Sequence, residues 1–167
     1  MITSALLLVV LITVFNALDS VSAAQAYQSD RSKVLDDMRN VMNKMTRELR
    51  QATAVEEITG STVNSQASSS LTYTTAINGT ATAIVYTASG KNLTRKVGSA
   101  TAFTVLANLD SSATGTLFTR TRLTSVTGVQ WVEIDLKVNP ARRPTTTLEL
   151  VSQVNLRNRT SSMTGAS

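Results

Sequence analysis

The sequence contains neither cysteine nor histidine, and these two absences exclude several classes of chemistry. Without those residues the chain has no thiol nucleophile, no histidine-based triad, no disulfide framework and no ordinary structural zinc site. Catalysis would have to rest on the eleven acidic residues, the sixteen Lys and Arg, and hydroxyl groups. We therefore predict that the protein is not an enzyme, and we assign it no catalytic residue, metal ligand or cofactor.

Glycine and proline are absent from residues 1–59, whereas all seven Gly and both Pro lie in residues 60–167. The first part has six basic against seven acidic residues, net −1, and its composition is typical of a helix. In the second part 35 of 108 residues are Ser or Thr, and ten basic against four acidic residues leave a net charge of +6. That composition favours β-structure.

Charged residues are also missing from the first 18 positions, a run that is mostly aliphatic and ends before Asp19. As a helix rising about 1.5 Å per residue it is roughly 27 Å long, close to the ~30 Å hydrocarbon thickness of a bilayer. We predict that residues 1–18 form a membrane or filament-core segment. A cleavable secretory signal is the alternative, with Ser22-Ala23-Ala24 as its cleavage site, but no basic residue precedes Leu6. A chain that starts on its apolar core is typical of one whose basic leader has been removed.

The helix is predicted to continue through residues 19–59 as an amphipathic segment and to end near Gly60. Its apolar positions recur every three or four residues, which places them on one helix face, while charged residues occupy the other face. Asp36 with Arg39 and Lys44 with Glu48 have spacings that stabilise a helix. We predict that the apolar face packs against a sheet through Val34, Met38, Val41, Met45 and Leu49.

Residues 60–70 are predicted to be a loop, residues 71–160 an antiparallel β-sheet domain, and residues 161–167 a flexible tail. Turn signals such as Asn78-Gly79 and Ser89-Gly90 separate the strand-like runs. The predicted strands are Leu71–Ile77, Thr82–Thr87, Asn92–Val97, Thr101–Leu109, Thr116–Leu123, Val129–Val138 and Thr147–Leu156. The predicted fold class is α+β: a long N-terminal helix, apolar in its first half and amphipathic in its second, packed on a small antiparallel sheet domain.

This organisation resembles the type IV pilin-like family. The resemblance is refined by Thr82-Ala-Ile-Val-Tyr86, Ser89-Gly90-Lys-Asn-Leu93-Thr-Arg95 and the final run Val154-Asn-Leu156-Arg157-Asn158, which look like J-type minor pseudopilins and W-type minor pilins. It implies the pilin fold and a structural subunit of an extracellular pilus-like filament, resident in the inner membrane before assembly and on the cell surface afterwards. The implied partners are copies of the same chain, a prepilin peptidase and the pilus assembly machinery.

The resemblance also assigns roles to residues. Met1 corresponds to a processed, methylated N-terminus, and the filament core is built from apolar positions of the first helix. These positions are Met1, Ile2, Leu6, Leu7, Leu8, Val9, Val10, Leu11, Ile12, Val14, Phe15 and Leu18.

One position departs from the family pattern, because the family usually has glutamate at the fifth mature residue and this chain has Ala5. That glutamate is thought to neutralise the N-terminal amine of a neighbouring subunit. Asp19 lies about 27 Å from residue 1 along a straight helix, so it cannot act in the same way. Either the hydroxyls of Thr3 and Ser4 satisfy the amine, or the subunit enters the assembly differently. A minor pseudopilin of a type II secretion system and a membrane-tethered binding or sensor domain are the alternative functions.

The basic excess of the second part raises DNA as a further partner, since clustered Lys and Arg attract polyanions. With three Tyr, three Phe and one Trp in the chain, however, no stacking platform for single strands is visible. The sequence favours a scattered positive surface over a DNA-binding one. Its members are Lys91, Arg95, Lys96, Arg120, Arg122, Arg142 and Arg143.

Overall fold

A computed structural model describes residues 2–58, 64–112, 114–122, 128–143 and 145–156, with the backbone alone for residues 2–6, 8, 9 and 114. Within these residues, one α-helix, α1 (Ile2–Arg50), precedes nine strands and a short 3₁₀ turn, Thr114–Thr116. The strands are β1 (Ala54–Val55), β2 (Ser65–Ser68), β3 (Ser70–Ile77), β4 (Thr80–Ser89), β5 (Asn92–Val97), β6 (Phe103–Ala107), β7 (Phe118–Thr121), β8 (Trp131–Val138) and β9 (Leu148–Asn155). The protein is therefore α+β, as predicted, with one long N-terminal helix and antiparallel sheets.

The helix ends at Arg50, nine residues before the predicted boundary at 59. Its last turn tightens, since the amides of Gln51 and Ala52 donate to carbonyls three residues back. The amide of Thr53 then donates to the Thr74 carbonyl at 2.8 Å, and residues 54 and 55 pair with β3. Pairing with the sheet thus replaces the helical hydrogen bonds. The spacing of apolar residues along a helix cannot predict such pairing with a distant strand.

In the described part of the chain, the strands form two antiparallel sheets rather than one. The first has the order β1-β3-β4-β5-β6 and the second the order β2-β7-β8-β9. An isolated bridge between Leu109 and Val138 joins them, flanked by the hydrogen bond from the Asp110 amide to the Lys137 carbonyl at 2.8 Å. Each of the seven predicted strands is present, as β3 to β9, with bounds that differ by up to two residues. In the predicted strand Thr116–Leu123, however, Thr116 belongs to the 3₁₀ turn and Leu123 lies outside the described residues.

The predicted loop over 60–70 contains β2, which pairs with β7, and its last residue, Ser70, begins β3. Residues 60–63 lie outside the described part of the chain, as do residues 157–160 and the predicted tail 161–167. The sequence of β2 is Ser-Gln-Ala-Ser, so it has no alternating apolar residues to reveal it. Its partner strand determines that it is extended.

The core forms where the apolar faces of both sheets meet the second half of α1. In β8 the alternation predicted from the sequence is confirmed, because Val132, Ile134, Leu136 and Val138 are all at most 1% exposed. The first sheet contributes Leu71, Tyr73, Ile84, Tyr86 and Leu93, and the helix contributes Met38, Met42, Met45 and Leu49. The two sheets and this half of the helix therefore share one hydrophobic core.

Candidate assembly surface on the helix

The first half of α1 exposes its apolar side chains to solvent. Every large apolar residue described between Leu7 and Val21 is at least half exposed, and Leu7 reaches 67%. The members of this group, which we call the exposed apolar segment, are Leu7, Val10, Leu11, Ile12, Val14, Phe15, Leu18 and Val21. Consecutive members such as Val10, Leu11 and Ile12 point in different directions around the helix, so the segment is apolar on all sides. An apolar surface of this kind marks an interaction site.

The remaining residues predicted for the filament core are only partly described. Ile2, Leu6, Leu8 and Val9 have helical backbone, but their side chains lie outside the described part, and Met1 lies outside it entirely. No helical stretch of the described residues combines the length and the apolarity needed to cross a membrane.

One hydroxyl that lies between the members of the exposed apolar segment is already satisfied within the helix. The hydroxyl of Thr13 donates to the Val10 carbonyl at 2.8 Å, so its donor is already satisfied. A hydroxyl bonded to its own helix loses little when it leaves water, because its hydrogen bond moves with it. Thr13 therefore does not prevent this segment from entering an apolar environment.

The second half of the helix is held by the sheets. Met38 and Met45 are fully buried and Leu49 is 1% exposed, while Val34 and Val41 are half-buried and pack against the core. These five residues are those predicted to pack between helix and sheet. The structure thus places one helix in two environments, with its second half in the core and its first half projecting from it.

The loop between β8 and β9, residues 139–147, marks the end of the contact between helix and sheets. The guanidinium of Arg143 lies 4.7 Å from the centre of the Tyr27 ring. The carboxylate of Asp30 accepts a hydrogen bond from the Arg142 amide at 3.2 Å. Tyr27 and Asp30 are partly buried. The two contacts attach this loop to the helix about one to two turns before Val34, which packs against the core.

A buried polar cluster formed by Glu48, Tyr73, Tyr86 and Arg95 joins the helix to the first sheet. The carboxylate of Glu48 accepts hydrogen bonds from the Tyr73 hydroxyl at 2.5 Å, the Tyr86 hydroxyl at 3.0 Å and Arg95 Nη2 at 2.8 Å. The two rings stack with centroids 6.3 Å apart. The side chains of Glu48 and Arg95 are 14% and 11% exposed, so the ion pair is largely removed from water.

The buried polar cluster changes the pKa values of its tyrosines and its arginine. Burial, reinforced by the hydrogen bond to Glu48, raises the pKa of Tyr73 far above its ordinary value. Burial and the charge of Glu48 likewise raise the pKa of Tyr86. Burial opposes the charge on Arg95, but the hydrogen bond and the attraction of Glu48 outweigh it, so its pKa is raised. Both tyrosines consequently remain protonated and keep donating to Glu48.

Sequence reasoning did not find this cluster. The spacing of Lys44 and Glu48 predicts an ion pair along the helix, but Glu48 pairs with Arg95, and Lys44 lies 6.0 Å from the centre of the Phe103 ring. The predicted pair of Asp36 and Arg39 is present at 3.5 Å. The available signal was that Glu48, a charged residue, lies next to the apolar face of the helix. Its partner, Arg95, is 47 positions away along the chain, so the sequence does not identify it.

Two of the seven residues expected on a positive surface are instead buried. Arg95 belongs to the cluster, and Arg120 is 4% exposed and forms an ion pair with Glu56 at 3.1 Å. Arg120 also donates to the Glu56 carbonyl at 3.4 Å and so ties the chain after the helix to the second sheet. The positive surface is correspondingly weaker than the sequence suggests.

No family model, curated protein or solved structure matches this chain.

Proposed function

We propose that the protein is a structural subunit of a type IV pilus-like filament, assembled through the first half of its helix. One observation carries the proposal: the exposed apolar segment projects from a folded β-rich domain that holds the other half of the same helix. Such a segment gains free energy by burial against similar segments. A helix whose other end is anchored in a core presents that segment in a defined direction.

The free energy available from burying the exposed apolar segment supports assembly through contacts with several neighbouring copies. Fully burying an aliphatic or aromatic side chain stabilises by about 1.5–3 kcal/mol. The eight residues of the exposed apolar segment are about half exposed, so each has roughly 1 kcal/mol still to gain. Their sum is on the order of 8 kcal/mol, comparable with the ~4–15 kcal/mol of lost freedom that association costs. A copy that contacts several neighbours is therefore held more firmly than one in a dimer.

The life cycle implied by the resemblance completes the proposal. The chain is cleaved by a prepilin peptidase, so that Met1 becomes the methylated terminus, and it rests in the inner membrane before assembly. The assembly machinery then moves it into an extracellular filament. The β-rich domain, with its threonine-rich outer surfaces, covers the outside, whereas the filament-core segment, residues 1–18, packs in the centre.

The test compares lysine substitutions inside and outside the exposed apolar segment. Leu11→Lys and Phe15→Lys place a charge where burial is required, whereas Gln25→Lys adds the same charge at an exposed polar position on the same helix. We expect the two former variants to lose filaments and Gln25→Lys to keep them, as imaged by electron microscopy of material sheared from cells.

Mass spectrometry of the N-terminal peptide accompanies the imaging. A methylated Met1 in filament material supports processing and assembly. Filaments at normal yield from Leu11→Lys and Phe15→Lys overturn the proposal. A chain found only in the membrane fraction, with no filaments, favours a tethered binding or sensor domain.

A further inference from the structure

One end of the β-rich domain faces the exposed apolar segment. Hydrogen bonds join three stretches of chain there: the Leu109 amide donates to the Lys91 carbonyl at 3.0 Å, and the Asn139 amide donates to the Asn108 carbonyl at 2.9 Å. The loop between β8 and β9 belongs to this end, and the two contacts described above attach it to the helix. We call this surface the basic end, and it comprises residues 89–91, 108–112 and 139–147.

Basic side chains outnumber acidic ones at the basic end by three to one, which leaves a net charge of +2. Lys91, Arg142 and Arg143 are exposed, and within the described part of the chain none of the three forms an ion pair. The acidic residue is Asp110, whose carboxylate accepts hydrogen bonds from the amide and the hydroxyl of Ser112. The three cations are therefore available to an external anion.

The adjoining part of the helix does not compensate this charge. Residues 19–35 carry two acidic and two basic side chains, so their charges cancel. Asp30 accepts a hydrogen bond from the backbone amide of Arg142 at 3.2 Å, so this contact holds the loop without using the guanidinium. The positive charge of the basic end consequently faces the side from which the apolar segment projects.

The height of the basic end above a bilayer follows from the helix geometry. With residues 1–18 in the hydrocarbon, as proposed above, Tyr27 and Asp30 lie roughly 14–18 Å beyond it along the helix axis. The headgroup layer occupies about 5–8 Å of that distance. The remaining gap of roughly 6–13 Å is comparable with the Debye length of about 8–10 Å at physiological ionic strength. The charges of the basic end are therefore within electrostatic reach of the headgroups.

We propose, on the basis of the membrane stage of the function proposed above, that the basic end docks on the bilayer surface before assembly. The partner is a headgroup layer that contains anionic lipids, whose phosphates attract Lys91, Arg142 and Arg143. A guanidinium can bind a phosphate through two parallel hydrogen bonds. The apolar segment holds the chain in the membrane, while the basic end sets the orientation of the β-rich domain above it.

A fluorophore attached to a single cysteine measures docking, since the chain has no cysteine of its own. A141C places it at an exposed position in the basic end, and T80C places it at the exposed start of β4, about 30 Å away along that strand. The full chain is reconstituted in phosphatidylcholine vesicles with or without about 30% phosphatidylglycerol. Lipids with a nitroxide on the headgroup should quench A141C strongly when phosphatidylglycerol is present, and T80C weakly in both vesicles.

Salt tests the electrostatic origin of docking. Raising the ionic strength from about 0.1 M to 1 M shortens the Debye length from about 10 Å to 3 Å. Quenching at A141C should then fall to the level seen in pure phosphatidylcholine, while the chain stays with the vesicles because apolar burial does not depend on charge. Quenching that persists at high salt would show that charge does not hold this end on the membrane.

Charge reversal identifies the residues. K91E and R142E should each lower the ratio of docked to undocked copies by at least about fivefold. R142E keeps the backbone amide that donates to Asp30, so the loop stays attached to the helix. K96E makes the same charge change at an exposed position about 17 Å farther along β5, and it should dock normally. Unchanged fluorescence of Trp131 checks that each variant is folded.

The outcomes separate the two proposals. If the full chain enters the vesicles but quenching at A141C is the same with and without phosphatidylglycerol, or K96E weakens docking as much as R142E, the docking proposal is wrong and the filament function stands. If the full chain associates with neither kind of vesicle, the docking proposal and the membrane stage of the proposed function are both wrong.

Discussion

Replacing Glu48 with Gln is the sharpest test of how the helix is attached to the β-rich domain. The substitution keeps the size of the side chain but removes its charge, and it leaves the Arg95 guanidinium, 11% exposed, without a counter-charge. The new amide also presents donors toward the hydroxyls of Tyr73 and Tyr86, which now donate to Glu48. The cluster then has too many donors and too few acceptors.

The expected cost follows from this geometry. Removing one partner of a buried ion pair destabilises by about 3–5 kcal/mol, because the remaining charge is left uncompensated. We expect the lower end, about 3 kcal/mol, since the amide oxygen of Gln still accepts one hydrogen bond. Domains are stable by only about 5–15 kcal/mol, so this loss is a large share of the total.

Urea denaturation of the full chain in a nonionic detergent measures the effect. The fluorescence of Trp131, the only tryptophan, reports unfolding of the β-rich domain. With m of about 1–3 kcal/mol per M, the midpoint should fall by roughly 1–3 M. Glu149→Gln is the matched control, because Glu149 is 53% exposed and contacts Lys137 at 3.2 Å. Exposed pairs contribute at most about 1 kcal/mol. Equal losses in the two variants would show that the cluster does not hold the helix in place.

Three further predictions concern pH, a turn and a loop. Above pH about 10 the unfolded chain releases tyrosine protons that Tyr73 and Tyr86 retain when folded, because their pKa values are raised in the folded state. The free energy of unfolding should therefore fall by up to about 1.4 kcal/mol per pH unit for each tyrosine. In urea titrations at alkaline pH, Y86F should halve this dependence of stability on pH. Gly79→Ala should cost about 1 kcal/mol in the same assay because φ is +80° there, whereas Gly115→Ala, with φ outside the left-handed region and no atom within 4 Å of the added Cβ, should be nearly neutral. Tyr27→Ala removes the ring that contacts Arg143 in the loop between β8 and β9, so amide hydrogen exchange should accelerate in that loop. The free energy of unfolding measured in urea should fall by at most about 1 kcal/mol.

Much of the fold was predictable because it depends on local periodicity. The spacing of Met38, Met45 and Leu49 indicates a helix with one buried face, and the alternation from Val132 to Val138 indicates a half-buried strand. Turn residues separate these runs, and the Asn78-Gly79 pair has positive φ at both positions, as the hairpin between β3 and β4 requires. Each of these signals comes from neighbouring residues and needs no knowledge of distant ones.

The errors occur where a distant partner overrides the local pattern. The helix ends at Arg50 because the following residues pair with β3, and β2 is extended because β7 hydrogen bonds to it. The predicted strand Thr101–Leu109 is shortened to β6, and Asn108, with φ of +60°, lies just beyond its end. Backbone pairing across many residues leaves no trace in the composition of a short polar segment.

The candidate site divides in the same way. The sequence by itself determined that one end of the chain is a charge-free apolar helix, since no other residue is needed to make those side chains hydrophobic. Only the tertiary structure decided that this segment projects into solvent while the other half of the helix is buried, because exposure depends on where the sheets end. It alone also decided that Glu48 pairs with Arg95, because ion pairs are chosen by proximity in space and burial sets their strength.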